Sequence, residues 1–160
     1  MVVDVIIPVY RPEREKLTKL IDWLNKQTVK PSRVFFMQTL VEKNEDEEVL
    51  QMLQKAENVE IVPIEKKDFD HGGTRNKGAA LSKADYMLFM TQDAVPVDAY
   101  LIENLVQAME EEEAATAYGR QLPDDTVGVI EHYTREFNYP AKSYVTVSYT
   151  HLRAHETRSN

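Results

Sequence analysis

Four short apolar runs, separated by segments with helical spacing, constrain the fold more than any other feature of this sequence. The runs occupy residues 2–9, 34–37, 59–64 and 86–90. The first is nearly continuous and rich in β-branched residues, which is typical of a strand buried on both faces. Strands that alternate with helices predict right-handed βαβ crossovers, and therefore an α/β fold with a mostly parallel sheet flanked by helices.

The segments between these runs predict the helices. Apolar residues at helical spacing indicate helices over 13–27, 49–53 and 98–109. Thr74 is expected to cap a helix that ends near residue 82 and turns residues 79–81 inward. Pro63 places the third strand at an edge of the sheet or at its own last residue. We also predict a fifth strand over 114–118 and a further helix over 124–137.

Composition excludes several classes of function. The chain has 160 residues, enough for one domain, and 19 basic against 27 acidic residues give a net charge of −8. Such a chain has no broad basic surface for nucleic acid, and a diphosphate would need local cations or a metal. There is no cysteine, which excludes disulfides and a thiolate zinc site. No apolar run reaches the roughly 18 residues of a transmembrane segment.

The last 14 residues, from position 147, differ in character from the rest. Their two histidines, His151 and His155, have the spacing of a zinc pair on a helix. The string VSYTHLRAHET, however, resembles one reading frame of a transposon adapter used in sequencing libraries. We therefore expect read-through that is not part of the fold. On this interpretation the domain covers residues 1–146, and the chain is an N-terminal fragment.

The stretch from residue 69 to residue 93 carries the candidate site. In open α/β sheets, ligands bind outside the carboxyl ends of the strands, and Asp93 directly follows the fourth apolar run. Its carboxylate suits Mg²⁺ or Mn²⁺, but the same residue also fits a turn cap before a proline. The glycines in DHGGTRN match neither GxGxxG nor a P-loop. A phosphate held by the helix start and Arg75, and a plain helix-entry turn, both remain open.

Two further groups are weaker candidates. Tyr10 and Arg11 follow the first strand, where they fit either contact with a base or a solvent-exposed loop. His71 is a lone histidine, and a metal ligand without partners is the less common role for such a residue. The sequence shows no Ser-His-Asp arrangement and no pair of carboxylates that can be assigned as acid and base.

Taken together, these segments resemble the nucleotide-binding half of family-2 glycosyltransferases, and among them the bacterial rhamnosyltransferase-like members. The resemblance covers residues 2 to about 145 and is carried by IIPVYR, DHGGTRNKGAALSKADYMLFMTQDAVP, YGRQLP and REFNYP. It implies a Rossmann-like GT-A fold. It also implies transfer of a sugar, such as rhamnose, from a nucleotide-diphosphate donor to a hydroxyl of a glycan or lipid-linked acceptor, with inversion.

The resemblance also assigns roles to residues around the donor. It places Pro8, Tyr10 and Arg11 beside the base and ribose, and Thr39 where the family often has an acid near the nucleoside. It places three residues on the diphosphate side of the pocket: Asp70, Arg75 and Asn76.

The family's DxD motif corresponds here to Thr91, Gln92 and Asp93, so that only the last acid remains. The resemblance therefore implies a Mg²⁺ or Mn²⁺ site with one carboxylate ligand, next to Gln92 in the nucleotide-sugar pocket. One carboxylate is compatible with Mg²⁺, which commonly keeps several waters. The family's catalytic base is an acid in the acceptor half, which we expect downstream of this chain.

Two other readings compete with this one. A sugar-nucleotide pyrophosphorylase would need a glycine-rich basic loop after the first strand, and YRPERE is not such a loop. A non-catalytic α/β nucleotide-binding module, or an inert fragment, stays open. Under the glycosyltransferase interpretation, we expect the protein in the cytoplasm or at the inner face of the membrane.

Overall fold

The computed structural model describes residues 1–122, 128–139 and 141–142. The chain divides into two compact units, Met1–Gln107 and Ala108–Asn160, which are described separately. The strands are β1 (Val3–Val9), β2 (Arg33–Thr39), β3 (Val59–Ile64) and β4 (Tyr86–Phe89). The helices are α1 (Arg14–Asn25), α2 (Lys43–Leu53), α3 (His71–Leu81), α4 (Leu101–Glu111) and α5 (Val129–Asn138), and a 3-10 turn spans Lys66–Asp68. The segment 147–160 lies outside the described residues.

The strands form one sheet in the order β3-β2-β1-β4, and all three pairings are parallel. The predicted α/β fold with a mostly parallel sheet is therefore confirmed. The chain moves outward from β1 through β2 to β3 and then returns across both to β4. Right-handed crossovers consequently place α1 and α2 on one face of the sheet and α3 on the other.

The face under α1 and α2 holds the larger part of the core. Val5 and Ile7 of β1 alternate toward it, as the pleat requires, and meet Leu20 and Leu24 of α1. Ile102 of α4 joins the same cluster. The apolar spacing predicted for α1 and α4 is confirmed, since the residues at that spacing are the ones turned inward.

Helix α3 covers the opposite face through a close approach at Gly78. A Cβ atom there would lie 2.6 Å from Cγ2 of Ile6 and 3.3 Å from the sulfur of Met37. Glycine is therefore needed for the helix to reach the sheet. This contact fixes the rotation of α3, so Ala80 and Leu81 are exposed. The prediction that residues 79–81 face inward is wrong for these two residues; Ala79 is half-buried.

The start of α3 also differs from the prediction. The N-cap is Asp70, whose carboxylate accepts a hydrogen bond from the Gly73 N–H. Thr74 lies inside the first turn and is buried. Asp and Thr have similar capping preferences, so the sequence did not distinguish them. Helix α2 begins at Lys43, six residues before the predicted start, because Glu45 and Asp46 favour its positive N-terminal end.

The two outer strands differ in burial. Pro63 lies in the edge strand β3, as predicted. Strand β4, expected to be buried, is the other edge, and its Met87 and Phe89 side chains are 47% and 45% exposed. Periodicity alone does not reveal that a strand has a neighbour on one side only.

In the second unit, residues 114–118 form no strand, so that prediction is wrong. Three of the five residues are alanines that offer little area to pack on a sheet. Arg120 Nε donates to the Tyr139 carbonyl oxygen at 3.0 Å, and the Tyr118 and Tyr139 rings meet edge to face at 6.2 Å. Helix α5 begins at Val129; residues 124–127, where we predicted its start, lie outside the described part. No helix in that part is long and apolar enough to cross a membrane.

Candidate functional site

A side-chain clamp joins the loops that follow the neighbouring parallel strands β1 and β4. The Gln92 amide accepts a hydrogen bond from the Tyr10 N–H at 2.8 Å and donates one to the Tyr10 carbonyl at 3.0 Å. The side-chain oxygen and nitrogen of Gln92 are thus both bonded to the backbone of Tyr10. The loop that follows β4 is thereby fixed against the loop that follows β1.

Asp93 follows this clamp directly. It lies in a turn closed by two backbone hydrogen bonds at 3.1 Å, from Ala94 to the Thr91 carbonyl and from Val95 to the Asp93 carbonyl. Its side chain is exposed. Within the described residues, its carboxylate takes part in no hydrogen bond or ion pair. The structure therefore presents a free acid beside the Tyr10 loop, at the carboxyl edge of the sheet.

A row of aromatic rings extends from the same loop toward α3. The Tyr10 and Phe69 rings stack with centroids 6.2 Å apart, and the Phe69 and His71 rings meet edge to face at 5.1 Å. Phe69 was not among the predicted site residues. The only signal for it in the sequence is its place in the long polar loop before α3. His71 thus has an aromatic neighbour rather than metal-binding partners.

Arg11 has a strained backbone in this loop. Its φ angle is 40°, in the left-handed region that favours glycine. Its guanidinium carbon lies 5.9 Å from the centre of the Tyr10 ring, and its Nε lies 3.6 Å from a carboxylate oxygen of Glu45. Glu45 lies in the first turn of α2 and was also missed, because nothing near Arg11 in the sequence points to it.

The N-terminus of α3 is occupied by its own cap. The Asp70 carboxylate receives the Gly73 N–H, and a Cβ atom at Gly73 would lie 3.0 Å from that carboxylate. Arg75 donates from Nη1 to the His71 carbonyl at 2.9 Å. Asn76 is exposed. A phosphate at this helix start would meet the negative charge of Asp70, which favours the plain helix-entry reading of the glycines.

Two buried hydroxyls lie on the α3 face near the carboxyl ends of the strands. Thr39 ends β2 and Thr74 lies one turn before Gly78; neither hydroxyl has a hydrogen-bond partner among the described residues. Pro8 of β1 pairs with Met37 of β2, which lies two residues before Thr39. Pro8 lies within β1, inside the predicted run of residues 2–9.

The structure thus brings together Tyr10, Arg11, Gln92 and Asp93 directly, and adds Phe69 and Glu45 to them. Thr39 and Pro8 lie at the ends of β2 and β1. No hydrogen bond or ion pair in the described part joins Asp70, Arg75 or Asn76 to Tyr10, Gln92 or Asp93. Their assignment to a diphosphate stays a prediction.

The donor set for a metal is sparse. The described residues contain no group of three or more His, Cys, Asp or Glu side chains that could hold an ion. Gln92 is committed to the backbone, so of these two neighbouring residues Asp93 remains as the candidate ligand. These residues fit Mg²⁺ held mainly by phosphate oxygens and water, and they do not form a cage for a permanently bound ion.

A groove of about 410 Å³ lies elsewhere, between α2 and the strands β2 and β3. Its apolar lining comes from Leu40, Leu50, Ile61 and Pro63. None of the predicted site residues lines it. The candidate site is instead an open surface at the strand ends, which is less enclosed than a typical small-molecule pocket.

Comparison with known proteins identifies the family. The sequence profile described as "Glycosyl transferase family 2" matches residues 4–158. The chain belongs to glycosyltransferase family 2. The match includes most of the segment 147–160, and the interpretation of that segment as read-through stays a prediction.

Curated relatives of this family-2 chain include two rhamnosyltransferases of Salmonella. The O-antigen chain rhamnosyltransferase RfbN of Salmonella typhimurium is 33% identical over 146 residues, which cover 91% of this chain and 45% of RfbN. The O-antigen chain rhamnosyltransferase WbaN of Salmonella anatum is 26% identical over 141 residues, covering 88% of this chain and 43% of WbaN. The chain therefore spans a little under half the length of these relatives.

Solved structures support the fold of this family-2 chain. The crystal structure of residues 1–349 of S. aureus TarS superposes with a TM-score of 0.56 at 20% identity, over 78% of this chain and 39% of that one. A second TarS structure gives a TM-score of 0.57 at 18% identity, over 78% of this chain and 23% of TarS. At this identity the likeness concerns the fold alone, and it agrees with the expected GT-A architecture.

Proposed function

We propose that the full protein transfers a sugar from a nucleotide-diphosphate donor to an acceptor hydroxyl, and that this chain holds the donor-binding half. The observation that carries the proposal is the Gln92 clamp, which fixes the residue next to the exposed Asp93 against the backbone of Tyr10. Ligands of open parallel sheets bind at this edge. Membership of family 2 supplies the reaction class.

The roles follow from the chemistry of each side chain. The Tyr10 ring, extended by Phe69, offers an aromatic surface for a nucleobase. Arg11, which the resemblance places beside the base and ribose, also has terminal nitrogens suited to phosphate oxygens. Mg²⁺ or Mn²⁺, when bound, offsets the charge that develops on the leaving diphosphate. Asp93 would hold that ion from the protein side, which matters because the chain carries a net charge of −8.

Likeness to RfbN and WbaN favours rhamnose as the sugar and a glycan or lipid-linked acceptor, in the synthesis of a surface polysaccharide. We place the reaction in the cytoplasm or at the inner face of the membrane. We infer that the catalytic base belongs to the acceptor half, so this chain should bind donor nucleotide without transferring sugar. Pro8, Thr39, Asp70, Arg75 and Asn76 are proposed to line the remainder of the donor pocket.

Titration calorimetry with dTDP and UDP, each with and without Mg²⁺ or Mn²⁺, tests the proposal. We expect saturable binding that is strengthened by the metal. Asp93→Asn should lower the affinity in the presence of metal about tenfold, or about 1.4 kcal/mol, and leave the metal-free affinity unchanged. The fold should persist because the side chain is exposed.

Asp85→Asn is the matched control, because Asp85 is an exposed acid at the opposite end of β4. It should bind both nucleotides like the wild type. Equal metal-dependent binding by the Asp93 variant would remove that residue from the site. No binding of either nucleotide to the wild-type chain would favour a non-catalytic module.

A further inference from the structure

Arg11 is held in an unfavourable backbone conformation next to the proposed donor site. Its φ angle of 40° lies in the left-handed region, which residues with a Cβ atom rarely adopt. Such strain persists only where surrounding contacts determine it, and it concentrates at functional sites. The contacts that hold Arg11 are therefore of interest for the site itself.

Two side chains contact the Arg11 guanidinium. Tyr10, its neighbour in the chain, lies under it at 5.9 Å, and Glu45 approaches Nε at 3.6 Å. Because Glu45 meets the Nε side, the two terminal nitrogens remain directed elsewhere. No hydrogen bond from them is present in the described part of the chain. The two terminal nitrogens of the guanidinium thus remain free to bind an anion, while its Nε side is held by Glu45.

A second ion pair joins the same two segments farther from the site. Arg14 at the start of α1 pairs with Glu48 of α2, three residues after Arg11 and Glu45 respectively. The two ion pairs connect the segment between the end of β1 and the start of α1 to the first turns of α2. The two pairs differ in two respects. The Arg14 backbone is helical, and only Arg11 lies beside Tyr10.

We propose that Glu45 is a positioning residue of the donor site: it holds the Arg11 guanidinium over Tyr10 with its terminal nitrogens turned toward the diphosphate of the bound nucleotide. This rests on the proposed function. Both side chains of the pair are half-exposed, at 53% and 52%, and exposed pairs contribute little to folding. The main consequence of the pair is therefore expected in binding rather than in stability.

The binding test compares Glu45→Gln with Glu48→Gln as the matched control, using dTDP and UDP with Mg²⁺. Glu45→Gln should weaken the binding of both diphosphates about threefold to fivefold, in keeping with a half-exposed contact. Glu48→Gln should leave the binding unchanged. Thymidine and uridine, which lack phosphates, should bind equally to all three proteins if their weak binding is measured at high ligand concentration.

A double-mutant cycle separates positioning from general structure. In an Arg11→Ala background, Glu45→Gln should have no further effect on diphosphate affinity, because the group it orients is gone. An equal loss in both backgrounds would overturn the proposal. So would unchanged or tighter diphosphate binding by Glu45→Gln, the latter because it would show the acid to be a competitor of the phosphate.

A ligand-free measurement keeps this inference distinct from the proposed function. The Arg11 Nε–H signal in ¹⁵N NMR spectra should shift in Glu45→Gln and stay unchanged in Glu48→Gln. An unshifted signal would overturn the Glu45–Arg11 coupling even if nucleotides bind. If the signal shifts as expected but the wild-type chain binds no nucleotide, the proposed function fails, whereas the coupling is supported.

Discussion

The two ends of the sheet differ in how far their buried polar side chains are paired. At the amino end, the fully buried Asp4 of β1 accepts hydrogen bonds on one carboxylate oxygen from Arg33 and from Ser82, both at 2.7 Å. At the carboxyl end, the hydroxyls of Thr39 and Thr74 are buried without a partner among the described residues. The first end pairs one oxygen of its buried carboxylate and leaves the other, Asp4 Oδ1, without a partner among the described residues, whereas neither hydroxyl at the second end has one.

This difference agrees with a structural role for the amino end and with the binding proposed at the carboxyl end. Asp4, Arg33 and Ser82 tie β1, β2 and the end of α3 together, and Arg33 also lies 3.9 Å from Glu60 of β3. The loop that follows β1 instead has a strained Arg11 and a free Asp93 beside it. Unpaired polar groups and strain lower stability, so they are expected where a ligand completes the contacts.

The largest effect should come from removing the acid at the amino end. Asp4→Ala takes away the partner of Arg33 and Ser82, and we expect a loss of about 3 kcal/mol in the free energy of unfolding, because one half of a largely buried ion pair is left. Urea unfolding measures it. Asp85 is an exposed acid at the same end, and Asp85→Ala should lower the free energy of unfolding by less than about 1 kcal/mol. Similar losses in both variants would contradict the structural role of Asp4.

A smaller effect of opposite sign is expected at the carboxyl end. Thr39→Val replaces an unpaired buried hydroxyl with a methyl group of the same shape, so the free energy of unfolding without ligand should rise by about 1 kcal/mol. Thr74→Val should behave alike, and both are measured by urea unfolding. A loss of stability in either variant would show that its hydroxyl has a partner, such as an internal water, and would weaken the contrast between the two ends.

Much of the sheet and of the core was predictable from the sequence. The runs that became β1 to β4 are short and apolar, and such runs between helical segments leave few alternatives. The cap of α3 was assigned to Thr74 instead of Asp70, since both residues fit the pattern. The strand predicted over 114–118 was wrong because an isolated apolar segment does not reveal whether a strand neighbour exists.

The contacts of the candidate site were harder to predict, because they join residues distant in the chain. Tyr10 and Arg11 were identified, but Phe69 and Glu45, which contact them, lie 59 and 34 residues later. Gln92 was placed near the nucleotide, which stays a prediction, and the bonds of its amide to the Tyr10 backbone, which join two loops, were not foreseen. Spacing within a helix or strand predicts local faces, and it carries no information about such long-range pairs.

The smallest effect concerns the strain at Arg11 and separates stability from binding at the carboxyl end. Arg11→Gly and Arg11→Ala both remove the guanidinium, so both should weaken dTDP and UDP binding in calorimetry by the same factor. Glycine relieves the left-handed conformation, and its greater freedom in the unfolded chain offsets part of the gain. Arg11→Gly should therefore be more stable than Arg11→Ala by about 0.5 kcal/mol in urea unfolding. If alanine is the more stable of the two, the backbone of residue 11 is not left-handed in solution, and the strain assigned to the loop after β1 would be absent.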